Sequence, residues 1–570
     1  TTEYLLFRKM LADLEYRLVM GTVVLLSVSS WLFRITHIMY HLYWTKMLAR
    51  APRPDRASLL EWMCLGHAIE LLKIRGNGGV QILLKQWHEA ASNGESVSAF
   101  VIWLGPFSPN IILCDAEYAK HVLKHPKIYQ KGFVYDAIRY VVPKGITNAE
   151  GSSWTRLRKL VTPCFHNRVV ESFSDLIYKS AKKRIDGWGA NNTINCHANL
   201  SQLTLSIILE VTIGKKVMEH GQAREIYQEF GQMMSYTAKC LVSPWRFILG
   251  SKLFMLLPFK EHKDYDQQIK RLERVVQDAV QERLQKGSKS SDENSLMEIL
   301  VNEYEKASSD EYSEFTYKDL SDQLGTFLAA GHDTTASLLS FALYHILKPE
   351  NREVYDRLVK EADRALSKMD DDTCFLDTEE EQHFSYEDVG QLEYTQAVLK
   401  ETLRVDTPGP IIAREVVESI QMSNGPSIPS GTSLWIAMSL LHMDPSQWED
   451  PERFNPNRFL SKKPRVGQYL PFSMGNRNCV GQRFAMIEAS IILAYLVHTY
   501  SLEMVPGQTL VRETAIVNRP SNGIYIKLKP KSNDLRRLSM TPKDSGSTHS
   551  PHRNLPRMSS SDSFAEEVVL

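Results

Sequence analysis

Apolar and polar positions divide the chain into three stretches of unlike texture. Leu18 to Phe33 is uncharged and largely apolar, bounded by Arg17 and Arg34, with Trp31, Tyr40, Tyr43 and Trp44 spaced like an interfacial belt. A membrane span takes ~20 residues, and tilt together with snorkelling arginines absorbs the shortfall of a run this length. A cleaved signal segment or a buried core helix are the competing readings. The run precedes a basic, proline-interrupted hinge at Arg50-Ala51-Pro52-Arg53-Pro54, which favours an anchor. Arg34, Lys46, Arg50, Arg53 and Arg56 outnumber Arg8, Lys9 and Arg17, so the positive-inside bias turns the following chain towards the cytosol. Past the hinge, Val97–Leu104 and Ile111–Cys114 flank a Gly/Pro turn and predict a strand-turn-strand unit. The rest is mostly of helical period. Thr316 to Leu347 opens on a Thr316/Asp319 capping-box pattern and stops before Pro349, which predicts a helix of about 47 Å. A helix is expected to begin near Ser385, and an apolar one runs from about Gln482 to Tyr500. From Lys531 the chain turns to Ser, Arg and Pro, with little to bury, and is expected to be disordered. The expected division is a membrane anchor at 1–50, a catalytic domain at 51–530 and a tail at 531–570.

Composition narrows the function classes. A hydrophobic share of 43% and a charged share of 24% exclude a wholly disordered or multi-span chain. Lys+Arg 67 against Asp+Glu 67 leaves no net charge to draw nucleic acid. The cysteines number 7, an odd count with no CxxC pair, which suits reduced thiols rather than a disulfide framework or a zinc site.

The chemistry is carried by Phe472-Ser473-Met474-Gly475-Asn476-Arg477-Asn478-Cys479-Val480-Gly481, just ahead of the apolar helix. A thiolate in a glycine-permitted turn at a helix N-terminus is stabilised by amide donors and the macrodipole, and it can ligate haem iron. A lone Cys beside a helix is ordinarily inert; here Phe, two Gly, Arg and Cys stand together at fixed offsets. The second feature is Ala330-Gly331-His332-Asp333-Thr334-Thr335 inside the long helix, where hydroxyls that bond back to carbonyls can open a polar notch. The third is Glu401-Thr402-Leu403-Arg404, whose spacing puts both charges on one helix face, followed by Pro451-Glu452-Arg453-Phe454.

These runs resemble the signatures of the cytochrome P450 family: FxxGxRxCxG, AGxDTT, ExxR and PERF, in the family's order and covering roughly residues 52–529. The resemblance implies a mainly α fold with a small β-rich lobe (α+β), carried on one N-terminal membrane helix, and a haem b (iron protoporphyrin IX) cofactor. It implies Cys479 as the axial thiolate, Phe472 packed beside it, Arg477 and Arg414 at the haem propionates, and Trp154 and Arg158, which fit the family's WxxxR helix, as further cofactor-binding residues. It further implies Asp333 and Thr334 as proton-delivering residues, and Glu401, Arg404 and Arg453 as a buried brace for the cysteine loop. Phe327, Ala330, Thr334, Ile411, Ile412 and Val517 are expected at the substrate pocket.

The partners implied are NADPH-cytochrome P450 reductase, cytochrome b5, membrane lipid and an apolar substrate, with the chain held single-pass in the endoplasmic reticulum membrane and its catalytic domain in the cytosol. His442-Met443-Asp444-Pro445 and the GHDTT run are similar to the microsomal branch that includes fatty-acid omega-hydroxylases. That branch often has Glu immediately before the helix glycine, able to form an ester with haem; Ala330 excludes that link. Val405-Asp406-Thr407 also departs from the apolar, proline-rich continuation usual after ExxR. An electron-independent isomerase or dehydratase, and a haem sensor without turnover, remain as alternatives that the Asp333/Thr334 pair disfavours. The terminal Val568-Val569-Leu570 fits strand addition to a PDZ-type groove.

Overall fold

The computed structural model describes residues 79–92, 97–214, 259–286, 295–308, 316–369 and 383–531 apart from short breaks, with isolated residues elsewhere. The expected anchor, apart from Ala49–Arg50, and the tail beyond 531 lie outside the described residues, and among the described residues no helix is long and apolar enough to cross a membrane. The described residues up to Lys529 belong to the first of two units.

Within the first unit the longer helices are α1 (Gly79–Ser92), α2 (Ala116–Lys124), α3 (Gly151–Val161), α4 (Ser174–Asp186), α5 (Cys196–Ile213), α6 (Lys260–Lys286), α7 (Leu296–Ser308), α8 (Tyr317–Ile346), α9 (Arg352–Leu366), α10 (Glu393–Val405) and α11 (Gln482–Thr499). The expected capping box opens α8: Thr316 Oγ1 takes the Asp319 amide, and the Asp319 carboxylate takes the Thr316 amide. The helix near Ser385 is real but broken. Ser385 caps a short Tyr386–Gly390 turn, and α10 starts afresh at Glu393. Helices α5 and α11 are apolar on nearly every side because both are buried, with α8 packed along α5.

The strand-turn-strand unit is β2 (Ala99–Trp103) antiparallel to β3 (Pro109–Leu113). It belongs to a six-stranded sheet ordered β1-β2-β3-β9-β6-β4, in which β1 is Ala49–Arg50, β4 Tyr129–Gln130, β6 Ile411–Val416 and β9 Ser433–Ala437. Both faces are covered, α1 packing on one and α2 on the other. Hence β3 and β9 are buried at every residue instead of alternating. The remaining short strands are β5 (Thr193–Asn195), β7 (Ile420–Gln421), β8 (Ser427–Ile428), β10 (Tyr500–Met504) and β13 (Tyr525–Pro530), and a small hairpin, β11 (Arg512–Thr514) and β12 (Asn518–Pro520), follows α11.

Candidate active site

The cysteine loop bends where its sequence allows. Ser473 (φ 62°) and Gly475 (φ 73°) are both left-handed, and a Cβ at Gly475 would sit 2.5 Å from the Leu123 carbonyl at the end of α2. Only glycine lets the loop lie this close to another backbone. The Cys479 amide donates to the Phe472 carbonyl at 2.9 Å, which closes the loop just before α11. Cys479 is exposed, but to the lumen of a cavity of about 400 Å³ rather than to open solvent. The enclosing protein raises its thiol pKa, while the Gly481 amide and the Arg158 charge pull it down.

The opposite wall is α8. Phe327, Ala330 and Thr334 face the cavity, and Phe327 meets Phe165 edge-on at 5.1 Å. Thr334 Oγ1 donates to the Ala330 carbonyl (2.9 Å) and Thr335 Oγ1 to the Gly331 carbonyl (3.1 Å). From α5, Thr204 Oγ1 donates to the His332 carbonyl at 2.9 Å, so the helix ladder shares acceptors with hydroxyls over this turn. Ile411 and Ile412 of β6 complete the apolar lining.

Two of the sequence expectations divide here. Asp333 is buried and does not line the cavity; one residue from Thr334, it is turned about 100° round the helix into the α5 contact, 3.6 Å from His197 Nε2. Val517 stands in the β11–β12 turn and is not among the lining residues.

Four cations meet the cavity: Lys131, Arg158, Arg414 and Arg477. Arg414 Nη1 donates to Tyr135 Oη (3.2 Å) and the Ala413 carbonyl (2.8 Å). Arg477 lies over the Trp154 ring at 4.6 Å, donates to the Ala149 carbonyl and pairs with Glu150, yet its Nε is buried without an acceptor. Arg158 holds the Asn478 carbonyl (3.1 Å) and side-chain oxygen (2.9 Å), beside the thiol. Burial pushes the pKa of Arg158 and Arg477 down. Cations with an orphaned donor around an apolar chamber, and a thiol on its floor, fit a flat apolar group bearing carboxylates.

Behind the loop, Glu401 and Arg404 are fully buried and form a two-pronged pair at 2.8 Å. The expected third member is corrected. Arg453 follows Asp450, which is left-handed (φ 43°), and its side chain is exposed; only its carbonyl takes part, accepting from Arg404 at 3.2 Å. The side chain that reaches Glu401 is that of Arg458, at 3.4 Å, with the Asn455 amide donating at 2.7 Å. The sequence held the signal: Pro456-Asn457-Arg458-Phe459 repeats the Pro-x-Arg-Phe pattern five residues on. Sequence reasoning also passed over Glu488 on α11. It is wholly buried against Thr335, neither oxygen is satisfied, and burial pushes its carboxyl up to about 8.

The Cytochrome P450 family model matches residues 72–528. The chain is similar to Cytochrome P450 4V2 of Rattus norvegicus, 27% identical over 90% of this chain and 95% of that protein. It is also similar to Cytochrome P450 4X1 of Mus musculus (28%; 76% and 84%) and Cytochrome P450 4p1 of Drosophila melanogaster (27%; 74% and 81%). A match over most of its length, joined to this loop and helix, places the chain in the cytochrome P450 family, haem-thiolate monooxygenases that hold haem b through a cysteine thiolate.

Proposed function

We propose that this chain inserts one oxygen atom of O2 into an apolar organic substrate, taking NADPH-derived electrons one at a time from a reductase of the endoplasmic reticulum membrane, with cytochrome b5 as a second donor. The observation that carries the reading is that the Cys479 thiol and the Thr334 hydroxyl open into one apolar cavity. Haem bound there supplies oxygen activation, with the thiolate donating electron density to favour O–O cleavage. Cys479 would hold the iron through its sulfur, and against the burial that disfavours its charge the Gly481 amide and Arg158 favour the deprotonated form. Arg158, Arg414, Arg477 and Trp154 would hold the carboxylate edge.

Thr334 Oγ1 donates its own proton to the Ala330 carbonyl, so its lone pairs are left to accept a hydrogen bond from a proton donor in the cavity. Asp333, on the α5 side of the same turn and 3.6 Å from His197 Nε2, is the acid adjoining Thr334 in this reading. Phe327, Ile411 and Ile412 exclude water and select apolar substrates. The Ala330 methyl on the wall leaves haem uncrosslinked at this point. The likeness of GHDTT and His442-Met443-Asp444-Pro445 to the microsomal branch supports fatty acids as the first substrates to try.

The test is Thr334→Ala. Substrate should still bind, while product per NADPH falls at least about tenfold and hydrogen peroxide rises to match, a loss within the ~10²–10⁴-fold that positioned proton transfer contributes. Unchanged coupling would remove Thr334 from the mechanism.

A further inference from the structure

We propose that Asp406, which does not touch the cavity, fixes the position of the cavity wall formed by Pro408, Gly409, Ile411 and Ile412, and so determines which substrate shapes the enzyme accepts; the proposal rests on the monooxygenase reading above. Asp406 ends α10 and is completely buried. Its carboxylate is clasped from two distant parts of the chain: His345 Nε2, in the last turn of α8, at 2.7 Å, and Arg512, which opens β11, at 2.5 Å from Nε and 2.8 Å from Nη2. Burial alone would push the carboxyl up, but the charge and hydrogen bonds of Arg512 and the bond from His345 hold it well below the ordinary range. His345 is itself pinned, stacked on Phe454 at 4.9 Å and 6°.

Immediately downstream the hairpin takes a second grip. The Asn518 amide on β12 donates to the Pro408 carbonyl at 2.8 Å, and its side chain reaches the Thr407 carbonyl at 3.4 Å. Then the Met438 amide donates to the Pro410 carbonyl at 2.9 Å, and Ile411 and Ile412 enter the sheet opposite Ala437 and Ile436. Between these grips lies Pro408-Gly409-Pro410. The prolines have fixed φ, so Gly409 is the one soft joint of the wall, and what its ends are tied to decides where the wall stands. The sheet fixes one end and Asp406 with Asn518 fixes the other. This accounts for a buried acid where the family usually continues with apolar residues.

The holoenzyme tests it, with imidazole and butyl-, octyl- and dodecyl-imidazole as probes followed by haem absorbance, and amide hydrogen exchange over residues 406–412 and 517–520. The variants are Asp406→Asn, Arg512→Met, in which a partly exposed chain keeps its volume, and Arg512→Lys as the conservative replacement. In Asp406→Asn and Arg512→Met, imidazole itself should bind within about twofold of wild type, while the ratio of dodecyl to butyl affinity shifts by about tenfold, the scale on which a pocket senses one methylene. The Asn518 amide should exchange faster, and Arg512→Lys should restore much of the wild-type ratio. An unchanged length profile, or a parallel loss for every probe including imidazole, would overturn the proposal and leave the clasp a purely structural one. Failure of imidazole to bind the wild-type protein would overturn the haem reading, and this inference with it.

Discussion

At the scale of single residues, two side chains give opposite lessons about neighbours in sequence. Arg453 and Arg458 occupy equivalent places in adjacent Pro-x-Arg-Phe runs, yet only Arg458 reaches the buried Glu401. Glu401 keeps Arg404 and the Asn455 amide when Arg458 is lost, so Arg458→Met should cost about 1–3 kcal/mol. Arg453→Met, on an exposed side chain, should stay within ~0.5 kcal/mol. Denaturant midpoints of the two variants would reverse the assignment if the order came out the other way.

Glu488 makes a prediction in pH. Its folded-state carboxyl titrates at about 8, far above the 4.5 of the free group, so between those values the folded chain binds a proton that the unfolded chain has released. Stability therefore falls as pH rises through that window, by at most about 1.4 kcal/mol per pH unit. Protonated Glu488 can donate to the Thr335 hydroxyl, whose own proton is committed to Gly331. Glu488→Gln keeps such a donor and removes the titration. Near pH 5 the two proteins should denature within about 1 kcal/mol of each other, and near pH 8 the variant should be the more stable by a few kcal/mol. Parallel midpoint-against-pH curves would show that Glu488 stays charged.

At the scale of elements, the long helix is held where it loosens its own ladder. A Cβ on Gly331 would meet Ile208 Cγ1 at 2.9 Å and Cδ1 at 3.0 Å, so α8 and α5 approach across a missing side chain. Gly331→Ala gains ~1 kcal/mol of helix propensity but overpacks the contact by about 1–3 kcal/mol, for a net loss. Ile208→Ala removes both Cγ1 and Cδ1 and leaves Cβ at 3.6 Å, and the double variant should be more stable than the sum of the single effects; additivity would mean that the contact is not tight.

The same helix shows what the sequence discloses. Its start, stop and length are legible because Thr316, Asp319 and Pro349 are local signals, as are the β2–β3 strand pair and the loop around Cys479. Strands β6 and β9 went unremarked because a sheet covered on both faces loses the alternation that marks a strand. Which way a helical residue faces depends on its partner helix, so Thr334 reached the cavity while Asp333 met His197. Val517 was placed by likeness alone, and the hairpin carrying it is tied to Asp406 instead of lying on the wall.

On the scale of the whole molecule, the helical core and the six-stranded sheet converge on one chamber. Helix α8 forms its upper wall, the β6 segment a side, and the loop ahead of α11 its floor. Arg414 and Arg477 stand at the cavity, Arg158 lies beside the thiol, and behind the floor Glu401 and Arg404 are paired out of reach of water. Every part of that account turns on the sulfur of Cys479. The direct measurement is the absorbance of the dithionite-reduced holoenzyme under carbon monoxide, for wild type and Cys479→Ser. Wild type should give the red-shifted Soret band of a thiolate-ligated haem, and the serine variant should lose it, since a neutral hydroxyl cannot supply the sulfur's electron donation. A thiolate-type band that survived in Cys479→Ser would contradict the assignment and move the iron to another residue.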